Sequence, residues 1–141
     1  MRKIKFRAWD RDNKKMLEVK AIDWNDKGDI VSINYPDGKL YPDENYGDHI
    51  DLMQFTGVYD KNEKEIYEGD VVFANSKYEG KFFGIVEFEN GRFQILDNGD
   101  FIYYDWEEYE IEVIGSVYEV GMKLVDEYEK WKRVYYEKHF K

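Results

Sequence analysis

The chain has 141 residues, a length typical of one domain or of one domain with a small appendage. It contains 21 Lys and Arg against 31 Asp and Glu, a formal net charge of −10, and its 18% aromatic content is too high for a disordered acidic chain. Cysteine is absent, which excludes disulfide scaffolds, thiolate metal sites and cysteine nucleophiles. Because the sequence has neither an apolar run approaching the roughly 20 residues of a membrane span nor an apolar signal segment, we expect a cytoplasmic protein with no membrane partner.

Charge is distributed unevenly along the chain. Residues 1–20 hold eight Lys or Arg and three Asp or Glu, residues 21–120 hold seven and 24, and residues 121–141 hold six and four. The acidic centre is either a solvated surface that favours solubility or a surface that meets the basic ends of neighbouring copies. Direct binding to nucleic acid is not expected, since it needs clustered Lys and Arg, and residues 2–7 are the one local exception.

The first half of the chain has the alternation of β-strands. Apolar and basic residues alternate over residues 4–8, which predicts a half-buried strand. Residues 15–19 form the returning strand and residues 30–33 a third β segment. A Tyr-Pro-Asp-Gly-Lys sequence at residues 35–39 has the composition of a tight turn, and residues 41–49 are predicted to be a loop.

The strongest hairpin signal is the Asn-Gly pair at residues 90–91, because a type I′ turn needs positive φ at both central positions. A two-residue loop fixes the register of the flanking strands. Glu89 then lies opposite Arg92, and Phe88 lies opposite Phe93. One pair is opposite in charge and the other is aromatic, so both favour the same register.

A second Asn-Gly pair at residues 98–99 is a hairpin candidate of a different kind. The same two-residue register would set Asp97 against Asp100, a pair of like charges. We therefore expect a longer loop or a slipped register at this turn.

The last alternating segment covers residues 110–118, and glycines interrupt the strand patterns at Gly84 and Gly115. Glycine inside a strand predicts a bulge or a sharp bend. Short strands joined by tight turns are typical of a small curled sheet or barrel.

The predicted fold is mainly β: a small, partly open, SH3-like barrel with an N-terminal β region and a C-terminal α-helix. The SH3-like assignment rests on the order of three elements along the chain, namely the Gly-Asp-Val-Val segment, the hairpin and the final strand. It also rests on analogy with SH3-like barrels. The predicted organisation is a β-rich domain of residues 1–120, with an N-terminal region of 1–56 and a barrel-like region of 65–120, followed by a helix of 121–141.

The period changes to that of a helix after Gly121. Large side chains recur at spacings of four, three and four residues and form one stripe: Leu124, Tyr128, Trp131 and Tyr135. This stripe packs either on the chain's own sheet or on another copy, and Tyr and Trp are enriched at interfaces. We predict a homo-oligomer with the helix of residues 122–140 at or near the interface and these four residues in contact.

A histidine and a carboxylate, His49 and Asp51, alternate on one predicted strand face. Such a pair can act as a general base or as part of a metal site. A metal site needs a third protein ligand, however, and no second histidine lies nearby in sequence. We expect a polar face of an edge strand rather than a catalytic or metal site.

Two further carboxylate-rich segments have simpler explanations. Residues 10–13 are similar to the start of a calcium loop, but Lys15 stands at loop position six and Ala21 at position twelve, where that motif has Gly and an acid. Residues 105–112 carry five acids, which could include a hydrolytic pair, although a solvated strand face is the default. No catalytic, cofactor-binding or metal-binding residue is predicted.

The most distinctive segment runs from Leu52 to Val72 and reads LMQFTGVYDKNEKEIYEGDVV. It resembles the signature of the YopX family of phage and prophage proteins, and three further segments match: KFRAWD with a following KM (residues 5–10 and 15–16), GIV (84–86) and VIGSVYE (113–119). The resemblance covers about residues 4–119. It departs at Glu63, where the family usually has Gly, so the turn there is expected to be longer or differently shaped, and from Val120 onward.

The resemblance implies a phage or prophage accessory protein with a β-rich fold and self-association, and it supplies no catalytic residue because the family's function is unknown. Three hypotheses follow. The first is a non-enzymatic, self-associating module that binds a host or phage protein. The second is an acidic mimic of nucleic acid that inhibits a DNA-binding protein, and the third is a carboxylate-based hydrolase.

Overall fold

A computed structural model describes residues 1–42, 47–76, 80–97, 100–102, 106, 109–119 and 130. The fold is mainly β, as the strand pattern predicts. In chain order the strands are β1 (Phe6–Asp10), β2 (Lys15–Glu18), β3 (Ala21–Trp24), β4 (Ile30–Tyr35), β5 (Gly38–Leu40), β6 (Ile50–Tyr59), β7 (Glu65–Tyr67), β8 (Asp70–Ser76), β9 (Gly80–Glu89), β10 (Arg92–Asp97), β11 (Asp100–Ile102) and β12 (Tyr109–Ser116). Within the described residues, helices with the length and hydropathy of a membrane span are absent.

The chain forms two compact units, Met1–Gly57 and Val58–Lys141. The predicted grouping of residues 1–120 as one domain stays a prediction. In the first unit β1 pairs antiparallel with both β2 and β6, and β3, β4 and β5 form a separate antiparallel sheet. Strand β6 continues past Gly57 and ends at Tyr59.

The second unit contains a curled, half-barrel sheet of five antiparallel strands in the order β11-β10-β9-β8-β12. Its core lies on one face of this sheet, where alternate strand positions are buried. The core residues are Ile66, Val72, Ala74, Phe82, Val86, Ile95, Tyr109 and Ile111. The rings of Phe82 and Tyr109 meet edge to face at 5.6 Å, a favoured aromatic geometry.

The hairpin between β9 and β10 confirms the predicted turn and register. Asn90 has φ 54° and Gly91 has φ 78°, as a type I′ turn requires. Glu89 lies opposite Arg92, and Phe88 lies opposite Phe93 with ring centroids 5.1 Å apart. Local turn chemistry and cross-strand pairing agree here, which explains why the sequence predicts this element well.

The expected register slip at the second Asn-Gly pair is wrong. Asp97 lies directly opposite Asp100 in the backbone ladder, followed by Leu96 opposite Phe101 and Ile95 opposite Ile102. A like-charge pair costs only about 0.2–1 kcal/mol. The backbone keeps the register of a two-residue connection despite the like charges.

The two strand glycines have different roles. The register between β12 and β8 shifts between Val113 and Gly115, which confirms the bulge predicted at Gly115. At Gly84 the pairing of β8 with β9 runs without interruption, so there is no bulge in this pairing, and the alternative of a sharp bend stays a prediction. Gly84 instead makes room for Ile95, since a Cβ there would lie 2.3 Å from the Ile95 Cγ2 atom.

Strand β12 ends sooner than the predicted strand of residues 110–118. Residues 117–119 are helical, and Ser116 caps them: its Oγ accepts the Glu119 N–H at 3.1 Å and donates to Glu119 Oε1 at 2.8 Å. This Ser-x-x-Glu capping box specifies a helix start, and it overrides the alternating pattern of the sequence. The helix therefore begins before the predicted position of residue 122, and the stripe residues Leu124, Tyr128, Trp131 and Tyr135 lie outside the described residues.

Candidate functional site

A polar cluster forms in the first unit where the β1–β2 turn meets the start of β6. The backbone N–H of Arg11 donates to the His49 carbonyl at 3.0 Å, which brings the turn and the strand together. The cluster consists of Asp10, Arg11, Asp12, Asn13, His49 and Asp51. It contains both of the constellations that the sequence singled out in this region, the His–carboxylate pair and the acidic turn.

Asp10 organises the turn. It is buried, its Oδ1 accepts the backbone N–H groups of Asp12 and Asn13 at 3.1 and 3.2 Å, and its Oδ2 accepts the Asn13 side-chain amide at 2.8 Å. A carboxylate that accepts its own turn's N–H groups shapes the loop, as Asp side chains often do. Its role here is structural.

His49 and Asp51 are engaged by different residues rather than by each other. The Asp51 carboxylate accepts two hydrogen bonds from the Arg11 guanidinium, including Nε to Oδ2 at 2.7 Å. His49 Nδ1 lies 3.0 Å from Asp12 Oδ1, and the side-chain hydrogen bond from His49 lowers the pKa of the Asp12 carboxyl below its ordinary value. The sequence did not predict either partner, Asp12 or Arg11, because neither motif spacing nor strand periodicity relates residues about 40 positions apart.

This cluster is a set of hydrogen bonds with an ion pair between Arg11 and Asp51. Both side chains of the His49–Asp12 pair are exposed by half or more, so water competes for each of them. Among the described residues there is no group of three or more His, Cys, Asp or Glu arranged to hold a metal ion. The geometry ties a turn to a strand, and it offers no convergent pair of free titratable groups.

Asp60 organises the second polar centre, in the turn between β6 and β7. Its Oδ1 accepts the backbone N–H groups of Asn62 and Lys64, each at 2.8 Å, and its Oδ2 accepts that of Val113 in β12 at 3.0 Å. Burial by itself would raise the pKa of Asp60, but these three donors together lower it below its ordinary value. The Lys61 N–H also donates to the Ile111 carbonyl at 2.8 Å, so the turn covers part of the β12 edge.

The turn at Gly69 joins three further elements of the second unit. Asp70 is 1% exposed, and its Oδ2 accepts the Tyr67 N–H at 2.8 Å. Gly69 has φ 80°, donates to the Val86 carbonyl and accepts from the Val117 N–H, each at 2.8 Å. Glycine adopts this positive φ without the steric cost that residues with a Cβ bear.

The described part of the carboxylate-rich stretch carries surface ion pairs. Lys61 Nζ lies 3.3 Å from Glu112 Oε2 and 3.8 Å from Glu110 Oε1. Both carboxylates project from β12 toward the ammonium group of Lys61. Such ion pairs are typical of a solvated strand face. The other three acids of this stretch, Asp105, Glu107 and Glu108, lie outside the described residues.

Large apolar side chains are exposed at the end of β12. Ile114 is 39% exposed, and Val117 and Tyr118 in the first helical turn are 36% and 38% exposed. We call these three residues the exposed apolar segment. They lead directly into the sequence with the predicted aromatic stripe.

These features lie within a segment that matches a protein-family model. The family model described as YopX protein matches residues 5–124. The chain belongs to the YopX family. The Asp60 turn and the Gly69-Asp70 turn both lie in residues 52–72, the segment that resembles the YopX signature.

Solved structures of YopX-like proteins share the fold. The crystal structure of protein EF1440 from Enterococcus faecalis has 26% sequence identity and a TM-score of 0.59, covering 88% of this chain and 99% of that one. The X-ray crystal structure of protein yopX from Bacillus subtilis has 25% identity and a TM-score of 0.56, covering 84% of this chain and 95% of that one. Among curated proteins none matches this chain.

Proposed function

We propose that this chain is a phage- or prophage-encoded accessory protein that acts by binding rather than by catalysis, as a self-associating module for a host or phage protein. The observation that carries the proposal is the exposed apolar segment of Ile114, Val117 and Tyr118. The three residues lie within five positions of the chain, and clustered exposed apolar side chains are typical of protein interfaces. The predicted stripe of Leu124, Tyr128, Trp131 and Tyr135 would extend the same surface.

The polar clusters support a binding role over an enzymatic one. Asp10 and Asp60 accept backbone N–H groups, Asp51 is paired with Arg11, and His49 is paired with Asp12. Each of these groups therefore already serves a contact within its own unit. A general acid or base needs a titratable group directed at a substrate.

The assembly can be tested with a pair of matched variants. Val117→Asp introduces a charge into the exposed apolar segment, and aspartate in the first turn of a helix is tolerated because it faces the positive end of the helix dipole. Val31→Asp is the control, because Val31 is a similarly exposed valine, 45% exposed, in β4 of the first unit. Light scattering at roughly 100 μM, where micromolar association is evident, measures the mass.

We expect the wild-type chain and Val31→Asp to have the same oligomeric mass, and Val117→Asp to be smaller while keeping the β signal in circular dichroism. A monomeric wild-type chain at low salt would contradict self-association. A Val117→Asp variant with unchanged mass would contradict the assignment of the interface to this segment.

The alternative function is an acidic mimic of nucleic acid, and the charge distribution between the two units favours it. Residues 1–57 hold ten Lys or Arg and eleven Asp or Glu, whereas residues 58–141 hold eleven and twenty. The negative charge is therefore concentrated in the second unit. A surface of this kind attracts a protein that otherwise binds phosphates.

Competition distinguishes the two functions. The chain is immobilised and loaded with DNA-binding proteins of the host, such as a nuclease or a polymerase, and duplex DNA is then added. A nucleic-acid mimic would release its partner to the duplex and would lose affinity steeply as salt rises. A partner held through the apolar surface would remain bound under both treatments.

A further inference from the structure

Gln94 is a polar residue buried in the middle of β10. Its side chain is 1% exposed, and its Nε2 donates to the backbone carbonyl of Glu89 at 3.2 Å. Its Oε1 is also buried, and none of the residues that the structure describes donates a hydrogen bond to it. A buried acceptor without a donor is destabilising. A donor for this oxygen has to come from a neighbouring side chain, and the side chain opposite Gln94 on β9 is such a neighbour.

That opposite residue is Glu87. The register of β9 and β10 pairs it directly with Gln94, so both side chains project from the same face of the sheet, with Cβ atoms about 4.5–5.5 Å apart. An ionised carboxylate provides acceptors alone, whereas a protonated carboxyl also provides one O–H donor. We propose that Glu87 and Gln94 form a proton-binding pair, in which Glu87 takes a proton from water and donates it in a hydrogen bond to Gln94 Oε1.

The charges around Glu87 favour its protonated form. Burial raises the pKa of the Glu87 carboxyl, and the negative charges of Glu68 and Glu89 raise it further. Glu68 belongs to the turn between β7 and β8, and Glu89 lies two positions further along β9. Arg92 of β10 lies opposite Glu89 and is exposed to water. The charged groups that act on Glu87 are thus two carboxylates, and both disfavour its ionised form.

The pair gives the β9–β10 hairpin a stability that increases in acid. Because the folded-state pKa of Glu87 is raised, the folded protein holds this proton more tightly than the unfolded chain does. The stabilisation is fully present below the ordinary pKa of a glutamate and is lost as the pH rises through the raised value. Proton uptake would thereby stabilise the strands that carry the exposed Phe88 at the hairpin tip.

Carbon-13 NMR of the full-length protein tests the pair directly. The side-chain carboxyl carbon of Glu87 and the side-chain carbonyl carbon of Gln94 are followed from about pH 3 to about pH 8. We expect both signals to titrate with one shared midpoint that lies above the ordinary value for glutamate. A Gln94 signal that does not follow Glu87, or a Glu87 midpoint at or below the ordinary value, would overturn the proposal.

Two matched variants test the hydrogen bond independently. Glu87→Gln and Glu87→Met both remove the charge, but only Gln retains a donor that can reach Gln94 Oε1. At neutral pH we expect an unfolding equilibrium constant roughly fivefold smaller for Glu87→Gln than for Glu87→Met, as for one net hydrogen bond. In a Gln94→Leu background this difference should disappear. An equal difference in both backgrounds would assign it to residue 87 alone and reject the pair.

Discussion

The side-chain carboxylate of Asp60 accepts a hydrogen bond from the backbone N–H of Val113, 53 residues further along the chain, at 3.0 Å. The same carboxylate closes its own turn through the N–H groups of Asn62 and Lys64. One side chain therefore fixes a local turn and joins it to strand β12. It also covers part of a strand edge that would otherwise present unpaired backbone groups.

Replacing Asp60 with Ala should destabilise the fold by about 3 kcal/mol, because three backbone donors lose a charged acceptor. Chemical denaturation followed by circular dichroism measures the free energy of unfolding. Asp26→Ala is the matched control, since Asp26 is an exposed aspartate in the β3–β4 turn, and it should change stability by less than about 0.5 kcal/mol. Equal effects of the two substitutions would contradict the structural role of Asp60.

The lowered pKa of Asp60 makes part of the stability sensitive to acid. Because the folded-state pKa lies below the unfolded value, the stabilisation is present above the ordinary pKa of aspartate and is lost as the pH falls through the lower folded value. Asp60→Asn cannot titrate. We therefore expect the wild-type melting temperature to fall more steeply than that of Asp60→Asn between about pH 5 and about pH 2.5. Parallel curves of melting temperature against pH for the two proteins would assign the acid sensitivity to other carboxyls.

Glu63→Gly should stabilise the protein. Glu63 has φ 62°, a left-handed conformation that costs a residue with a Cβ about 1 kcal/mol and that glycine adopts freely. The greater freedom of glycine in the unfolded chain offsets part of this gain. We expect calorimetry to show a melting temperature higher by about 1–3 °C, and Glu63→Ala, which keeps the Cβ, should show no such rise.

Gly91→Val should destabilise the protein by about 2 kcal/mol. Gly91 has φ 78° and nothing lies within 4 Å of a Cβ at this position, so the cost comes from the backbone rather than from a clash. Asn90→Gly is the control, because glycine also accepts the positive φ of residue 90. A Gly91→Val variant with an unchanged melting temperature would contradict the type I′ turn.

Local patterns were sufficient for some elements of the YopX fold. The β9–β10 hairpin follows from an Asn-Gly turn and two agreeing cross-strand pairs, and all of these interactions lie within a few residues of one another. The bulge at Gly115 and the left-handed turn at Gly69 follow equally from the conformational freedom of glycine. The Ser116–Glu119 capping box was also readable locally, but the preceding alternation concealed it.

Other features depend on which distant residues meet, and a single sequence carries no local signal for that. His49 and Asp51 share a predicted strand face, yet the sheet pairing of β1 with β6 brings them to Asp12 and Arg11 instead. Gly84 looks like a bulge until the neighbouring strand places Ile95 against it. The amino-acid sequence by itself determined the β class and the tight turns, because short-range sterics and alternation specify them, and it identified the family through the resemblance of its motifs. The tertiary structure alone decided the long-range partners of Asp60 and His49, because those depend on which distant segments meet across the sheets.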